Sequence, residues 1–309
     1  MGSLQKGPVN RVPSMHAVCQ GIWLMLALAG LASEPALADL SQSKGDWQLV
    51  VLGVAQDAGI PHLGCQQPLC VSIRAGKRRA ERVASLGLRD RVSGRAYLFD
   101  ATPDLNAQVH ALTGGRPPDG IFLTHAHIGH YTGLMYLGRE SIGARGVPVH
   151  ATPRMLDFLT KNGPWSQLVS LGNIAGRPLE YDQPLSLDGG VRITAFRVPH
   201  RDEYTDTVGY RIDGPRRSAL FIPDIDRWEK WDRSIRTLAD SVDLAFLDGT
   251  FASPTEVNRN IEEIPHPMMP ATRELLRGTR AALWFIHVNH TNAELEASDV
   301  VKEGMTFDM

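Results

Sequence analysis

The sequence predicts an α/β fold in which sheets are covered by helices. Three observations favour it: strand-like runs recur along the chain, helical stretches fall between them, and 43% of the 309 residues are hydrophobic. That composition is enough to bury a large core, and strands mixed with helices are typical of layered domains. Because no long Pro/Gly linker interrupts residues 46–309, we expect a single domain there.

The predicted strands are rich in β-branched and aromatic residues and are bounded by Gly, Pro or Asp. In chain order they are Trp47–Ala55, Ala96–Phe99, Gly120–Thr124, Val147–Ala151, Val191–Val198, Thr207–Ile212, Ser218–Ile222, Leu244–Leu247 and Ala282–Val288. The predicted helices are Leu105–Leu112, Gly133–Leu137, Pro153–Lys161, Trp228–Leu238 and Ala271–Gly278.

The first 38 residues are predicted to be an N-terminal extension followed by a signal peptide. From Met15 the chain has an apolar stretch over 21–32 and then Ala36-Leu37-Ala38 before Asp39. A short apolar run followed by A-x-A is typical of a cleaved export signal and is too short to span a membrane. We therefore expect export, to the periplasm, with the mature chain starting at Asp39; the alternative is an uncleaved N-terminal anchor.

The charge balance argues against a polyanionic partner. The chain has 32 Lys and Arg against 34 Asp and Glu, a formal net charge of −2. No overall basic field therefore indicates nucleic acid or anionic lipid. We expect a small-molecule substrate, no nucleic acid, and no membrane contact after signal cleavage, and the oligomeric state stays open. Eleven histidines against three cysteines indicate that imidazole performs the metal or proton chemistry.

The sharpest motif is the segment His125-Ala126-His127-Ile128-Gly129-His130. It follows an apolar strand that ends at Thr124. His125 and His127 alternate at the strand end, so their side chains point to the same side, and His130 follows after a turn. Zinc binds two or three neutral imidazoles and keeps one position for water when the site is catalytic. The spacing therefore predicts a metal site.

Three further potential ligands stand where predicted strands end. These are His200 after Val198-Pro199, Asp224 after a strand over 218–222, and His287 after Phe285-Ile286. Functional side chains often gather at strand ends. We therefore expect these residues to join the first three histidines.

Together with Asp100, which follows Tyr97-Leu98-Phe99, this order of residues resembles the metallo-β-lactamase superfamily over about residues 47–290. The resemblance implies an αββα sandwich, two mixed sheets flanked by helices, with the site at one edge between the sheets. It also implies a role for each residue: a first metal on His125, His127 and His200; a second on His130 and His287 with Asp224 bridging; and support of a ligand by Asp100.

One position departs from the family pattern. The family usually has H-x-H-x-D-H, whereas Gly129 stands at the Asp position. Glycine has no side chain to bind metal, so we expect a weak second position and close to one tightly held metal, with a second ion completed by water as the alternative. On this interpretation Gly129→Asp would raise the affinity for a second ion.

The segment from Leu52 to Cys70 and the ending from Phe285 to Asn292 resemble pyrroloquinoline quinone biosynthesis B proteins and the related phosphodiesterases of phosphonate breakdown. Those relatives carry G-C-x-C-x-x-C and bind a structural zinc, but Gln67 replaces the middle cysteine here. A possible structural metal site of Cys65, Cys70 and His290 remains. A disulfide or two free thiols are favoured over zinc, since structural zinc normally has four ligands.

The resemblance to the metallo-β-lactamase superfamily implies a hydrolase with one or two Zn²⁺ ions, in which zinc lowers the pKa of its water to about 7. Esters, lactones, amides and phosphodiesters are all chemically reachable, and Asp224 would orient the water or bridge two ions. Two alternatives stay open: an iron-dependent oxidative enzyme like the B proteins, since histidines with a carboxylate also suit Fe or Mn, and a non-catalytic metal or cofactor carrier.

Overall fold

The computed structural model describes residues 45–256, 260 and 263–309. The predicted signal peptide within residues 1–38 lies outside these ranges. Within them, no helix is both long and apolar enough to cross a membrane.

The first sheet has seven strands in the order β13-β1-β2-β3-β4-β5-β6. Strands β3 to β6 run parallel, whereas β13, β1, β2 and β3 pair antiparallel. The strands are β1 (Trp47–Gly53), β2 (Ser85–Asp90), β3 (Ala96–Phe99), β4 (Gly120–Phe122), β5 (Val147–Ala151), β6 (Ile174–Pro178) and β13 (Thr306–Asp308).

The second sheet has six strands in the order β12-β11-β10-β9-β8-β7. Strands β10, β11 and β12 are parallel, and the pairs β10–β9, β9–β8 and β8–β7 are antiparallel. The strands are β7 (Pro184–Ser186), β8 (Arg192–Arg197), β9 (Val208–Asp213), β10 (Ser218–Ile222), β11 (Leu244–Asp248) and β12 (Ala282–Ile286).

The two sheets pack face to face over a buried aromatic cluster. Phe99 of the first sheet lies 5.2 Å from Phe122 beside it, and 5.5 and 5.9 Å from Tyr210 and Phe221 of the second sheet, measured between ring centroids. All four side chains are fully buried. Side chains from two inner sheet faces that interdigitate in this way form the core of a sandwich.

Helices cover the outer faces of the sheets and complete the predicted αββα sandwich. Apolar side chains of α2, α4 and α5 pack on the first sheet, and those of α6 pack on the second. The helices are α1 (Pro68–Arg74), α2 (Leu105–Thr113), α3 (Ile128–Tyr131), α4 (Pro153–Lys161), α5 (Trp165–Ser170), α6 (Ile235–Asp240) and α7 (Met269–Leu275). The predicted fold class is confirmed.

Several elements differ from the sequence prediction. Strands β2, β6, β7 and β13 and helices α1 and α5 were not predicted; β6 and β7 are short and contain Gly or Pro, which weaken a strand signal. The predicted helix Trp228–Leu238 is two pieces: a 3-10 turn over Trp228–Lys230, and α6, whose start is capped by Ser234 accepting from the Thr237 N–H. The predicted helix Gly133–Leu137 is part of a 3-10 segment, Thr132–Leu137.

The carboxyl ends of several strands meet at one edge of the sandwich. In the first sheet, β3 and β4 run parallel to each other. In the second sheet, β8, β10, β11 and β12 all run in one direction. Ligand sites of sheet proteins form outside such carboxyl ends. The residues that follow these strands, or end them, are Asp100, His125, His200, Asp224, Asp248 and His287.

Candidate metal centre

Four side chains form a first group that fits one metal ion: His125, His127, His200 and Asp224. The Nε2 of His125 and of His200 lie 2.9 and 3.3 Å from His127 Nδ1, and 3.4 and 3.2 Å from Asp224 Oδ2. A tetrahedral zinc ion with bonds of about 2.0–2.1 Å separates its ligands by about 3.3 Å. The three predicted ligands of the first metal are therefore brought together, and Asp224 Oδ2 lies beside them.

The backbone around the first two histidines is fixed by the second sheet. The Val208 N–H donates to the Thr124 carbonyl at 3.1 Å, and the Ala126 N–H donates to the Thr205 hydroxyl at 3.0 Å. These bonds hold the segment after β4 against the start of β9. The alternation of His125 and His127 is therefore maintained beyond the end of the strand.

A second group, Asp57, His130 and His287, lies beside the first. Asp57 Oδ1 is 3.4 Å from His130 Nε2 and 3.7 Å from His287 Nε2. The same two nitrogens lie 3.9 and 4.0 Å from Asp224 Oδ2. Asp224 therefore stands between the two groups, as the resemblance implied.

Buried polar atoms normally have hydrogen-bond partners, and several atoms of this centre have none in the described part of the protein. They include Asp57 Oδ1, His130 Nε2 and His287 Nε2 of the second group, and Asp224 Oδ1. A bound cation satisfies such lone pairs, and buried carboxylates require positive charge nearby. The donor set therefore fits a metal ion.

Asp100, which the resemblance implied would orient a ligand or the turn beneath it, is hydrogen-bonded to His130. The carboxylate is fully buried, and its Oδ2 accepts from His130 Nδ1 at 2.7 Å. Its Oδ1 accepts from the Thr124 N–H at 2.8 Å. Hydrogen bonds of this kind orient metal-binding imidazoles. On the other side of the group, the Thr250 hydroxyl lies 3.1 Å from His287 Nδ1.

His266 was not found by the sequence analysis. It is buried, and its Nδ1 lies 2.8 Å from Asp248 Oδ2 and 3.4 Å from Asp224 Oδ1. Asp248 also accepts from the Thr250 N–H at 2.9 Å. His266 lies in the segment Ile264-Pro265-His266-Pro267, which follows no strand, so neither spacing nor strand position indicated it.

Asp57 was also missed, and it lies beside Gly129. A Cβ on Gly129 would lie 2.5 Å from Asp57 Cα and 2.6 Å from Asp57 Oδ1. The space for a side chain at position 129 is therefore filled by Asp57. The sequence analysis named Asp224 as the carboxylate for His130 and His287; Asp57 reaches the same two histidines from the turn after β1.

Burial and charge set the protonation of the centre. Burial lowers the pKa of His125 well below its usual value, so this imidazole is neutral and has a lone pair for a metal. Burial also acts to lower the pKa of His130, but Asp100 and Asp57 raise it well above its usual value. Burial acts to raise the pKa of Asp224, but the surrounding histidines, His200 first, hold it well below its usual value. The neutral imidazole and the ionised carboxylate are the forms that bind metal.

A polar cavity of about 310 Å³ opens beside the centre. Its lining includes His266, Gln56, Arg201 and Asn289. The loop that carries Arg201 also brings the Glu203 carboxylate to 3.1 Å from His127 Nε2. The side chains of this loop are largely exposed, yet Glu203 contacts a proposed ligand.

Cys65, Cys70 and His290 form a separate group. Both cysteines are free and buried, and burial raises the pKa of the Cys70 thiol. His62 stacks on His290 with ring centroids 4.4 Å apart. The three residues that the resemblance implied for a structural metal are therefore within reach of one another, and the two thiols are not joined.

Residues 95–288 match the family described as the beta-lactamase superfamily domain, which is more than half of the chain. The chain belongs to this superfamily. The fold agrees: zinc-bound PqqB from Methylobacterium extorquens superposes with a TM-score of 0.72 at 20% identity, over 85% of this chain and 100% of that one.

Two curated relatives show the range of proteins that this superfamily member resembles. The coenzyme PQQ synthesis protein B of Methylobacterium sp. (strain 4-46) is 25% identical, over 85% of this chain and all of that protein. The ribonuclease Z of Bradyrhizobium sp. (strain ORS 278) is 30% identical, over 55% of this chain and 58% of that protein.

Proposed function

We propose that this superfamily member is a metal-dependent hydrolase that acts on an ester bond, with phosphodiesters as its first candidate substrates. The observation that carries the proposal is the first group: the Nε2 atoms of His125 and His200 each lie 2.9–3.4 Å from His127 Nδ1 and from Asp224 Oδ2. If a zinc ion bound there also held a water as a further ligand, it would lower the pKa of that water to about 7 and supply a nucleophile at neutral pH.

His266 is the side chain best placed to move a proton. Its Nδ1 lies 2.8 Å from Asp248 Oδ2, so Nε2 is the nitrogen that remains to donate a proton to a leaving group. Asp248 fixes the ring and favours its protonated form. The side chain also lines the cavity beside the metal ligands. General acid catalysis by a positioned histidine contributes about 10²- to 10⁴-fold in rate.

Arg201 favours an anionic substrate. Its guanidinium lines the same cavity as His266 and lies 3.6 Å from Glu203 at the rim. A guanidinium binds phosphate oxygens well. A phosphodiester also releases an alkoxide, which needs a proton from a group such as His266. The partial similarity to a ribonuclease Z supports this choice over lactones and amides.

The test is a hydrolysis screen on the zinc-reconstituted protein. We expect turnover of bis(p-nitrophenyl) phosphate and of an alkyl phosphodiester, and weaker turnover of p-nitrophenyl acetate and a γ-lactone. His266→Gln should lower kcat for the alkyl diester by about 10²-fold or more and affect the nitrophenyl substrate less, since p-nitrophenolate leaves without a proton. His110→Gln, an exposed histidine of α2, is the matched control. Fully metallated protein that hydrolyses none of these substrates would refute the proposal.

A second candidate is an oxidative enzyme that uses iron. The similarity to a coenzyme PQQ synthesis protein B over 85% of the chain favours it, and histidines with a carboxylate suit non-haem iron. Reconstitution with Fe²⁺ under anaerobic conditions followed by oxygen exposure distinguishes it from the hydrolase: substrate-dependent oxygen uptake favours oxidation. Metal uptake without turnover in either assay would indicate a carrier.

A further inference from the structure

Asp57 occupies an unusual position for an acidic side chain. It follows β1 in a turn, has a positive φ of 21° and is not a glycine. Its Oδ1 is buried and has no hydrogen-bond partner within the described ranges. An aspartate held in a rare backbone conformation, with a carboxylate oxygen aimed at two imidazole nitrogens, indicates a ligand position.

The geometry around Gly129 explains why the carboxylate comes from this turn. A Cβ at position 129 would meet the Asp57 backbone at 2.5 Å and its Oδ1 at 2.6 Å. Residue 129 therefore has no room for a side chain, and Asp57 fills that space. The two residues are far apart in the sequence but adjacent in the structure.

The atoms around Asp57 Oδ1 complete a set of four. His130 Nε2 and His287 Nε2 lie 3.4 and 3.7 Å from it, and both are buried without a hydrogen-bond partner among the described residues. Asp224 Oδ2 lies 3.9 and 4.0 Å from the same nitrogens. Two imidazoles and two carboxylate oxygens are a donor set that suits Zn²⁺, Mn²⁺ or Fe²⁺.

We propose that Asp57 is a ligand of the second metal position that the resemblance implied for His130, His287 and Asp224, where it replaces the carboxylate that Gly129 lacks. This inference rests on the first metal group of the proposed function and adds to it a second ion that shares Asp224. It predicts that the protein holds two ions with comparable affinity, contrary to the expectation drawn from Gly129 alone.

The experiment is a zinc titration of metal-free protein by calorimetry, with bound zinc counted by plasma mass spectrometry. The wild type should bind two ions. Asp57→Asn should bind one ion as before and the second at least 10-fold more weakly, because perturbing only the support of a ligand already costs 10- to 100-fold. Asparagine tolerates positive φ, so the turn is preserved. Asp182→Asn, the same change at a positive φ away from the centre, should bind two ions.

Zinc anomalous diffraction from crystals of the wild type gives a second readout that does not depend on the folding of a variant. Two peaks, one within bonding distance of Asp57, support the site. A single peak, or a second peak without Asp57 among its ligands, overturns it, and so does unchanged two-ion binding by Asp57→Asn. Two bound ions without hydrolysis of any ester leave this site standing and refute the proposed function. Hydrolysis by a protein that binds one ion supports the proposed function and refutes this site.

Discussion

Asp100 Oδ2 accepts a hydrogen bond from His130 Nδ1 at 2.7 Å, and neither side chain is exposed to solvent. This bond fixes the imidazole so that Nε2 points towards Asp57 and Asp224. Asp100 also accepts a hydrogen bond from the Thr124 N–H, directly before the first of the two histidines His125 and His127. One buried carboxylate therefore positions parts of both metal groups.

Asp100→Asn should weaken metal binding without removing a ligand. An amide cannot accept from both His130 and the Thr124 N–H as the carboxylate does, so the imidazole loses its fixed orientation. We expect the affinity for the ion at His130 to fall about 10- to 100-fold, measured by zinc titration. Asp119→Asn, at a partly buried strand-edge carboxylate bonded to the Ala96 N–H, is the control. Equal zinc affinities in the two variants would contradict the supporting role.

Removing single ligands of the first group should release its ion. Alanine at His125, His127 or His200 leaves three donors, and the remaining carboxylate and imidazoles hold zinc less well. We expect each variant to lose about one zinc per chain after dialysis, measured by plasma mass spectrometry. Three variants that all keep the wild-type content would show that the ion is bound elsewhere.

Gly129→Ala should destabilise the fold, and Gly129→Asp should not strengthen metal binding. The added Cβ would meet the Asp57 backbone at 2.5 Å, and overpacking of this kind costs about 1–3 kcal/mol. Displacement of Asp57 should also weaken the second ion. Urea unfolding and zinc titration measure the two effects. Gly163→Ala, where no atom lies within 4 Å of the new Cβ, should leave both unchanged, and tighter binding by Gly129→Asp would count against the proposed geometry.

Cys65 and Cys70 should react as two free thiols. Both are unpaired in the structure, and with His290 they provide three of the four ligands that a structural zinc normally has. Thiol counting in denaturant without reductant should give two thiols per mature chain. A count of zero would indicate a disulfide. Loss of one zinc in Cys65→Ser, with the histidine-bound metal intact, would show a structural zinc instead.

We propose that the protein is exported and that the mature chain starts at Asp39, after Ala36-Leu37-Ala38. Intact-mass analysis of protein expressed from the full reading frame should give the mass of residues 39–309 in the periplasmic fraction. Substituting Ala38 with a bulky residue should block cleavage, since the site requires small side chains. A soluble cytoplasmic species that retains residues 23–32 would refute export.

The sequence by itself determined the layered fold and most of the centre. Ligand types spaced along the chain at the ends of apolar strands were enough to predict His125, His127, His130, His200, Asp224 and His287, because parallel strands deliver their carboxyl ends to one edge. It also placed Asp100 in a supporting role. The strand-end positions needed only local spacing and the direction of strands, whereas the supporting role of Asp100 was implied by the resemblance to the superfamily.

Only the tertiary structure decided which residue lies beside Gly129. Asp57 and Gly129 are 72 residues apart in the sequence, and no periodicity links them; the packing of the β1 turn against α3 does. His266 also could be found only from the tertiary structure, because it contacts Asp224 from a segment between two prolines that follows no strand. Residues that enter a site from irregular loops come together only through the tertiary fold, so local sequence patterns do not predict them.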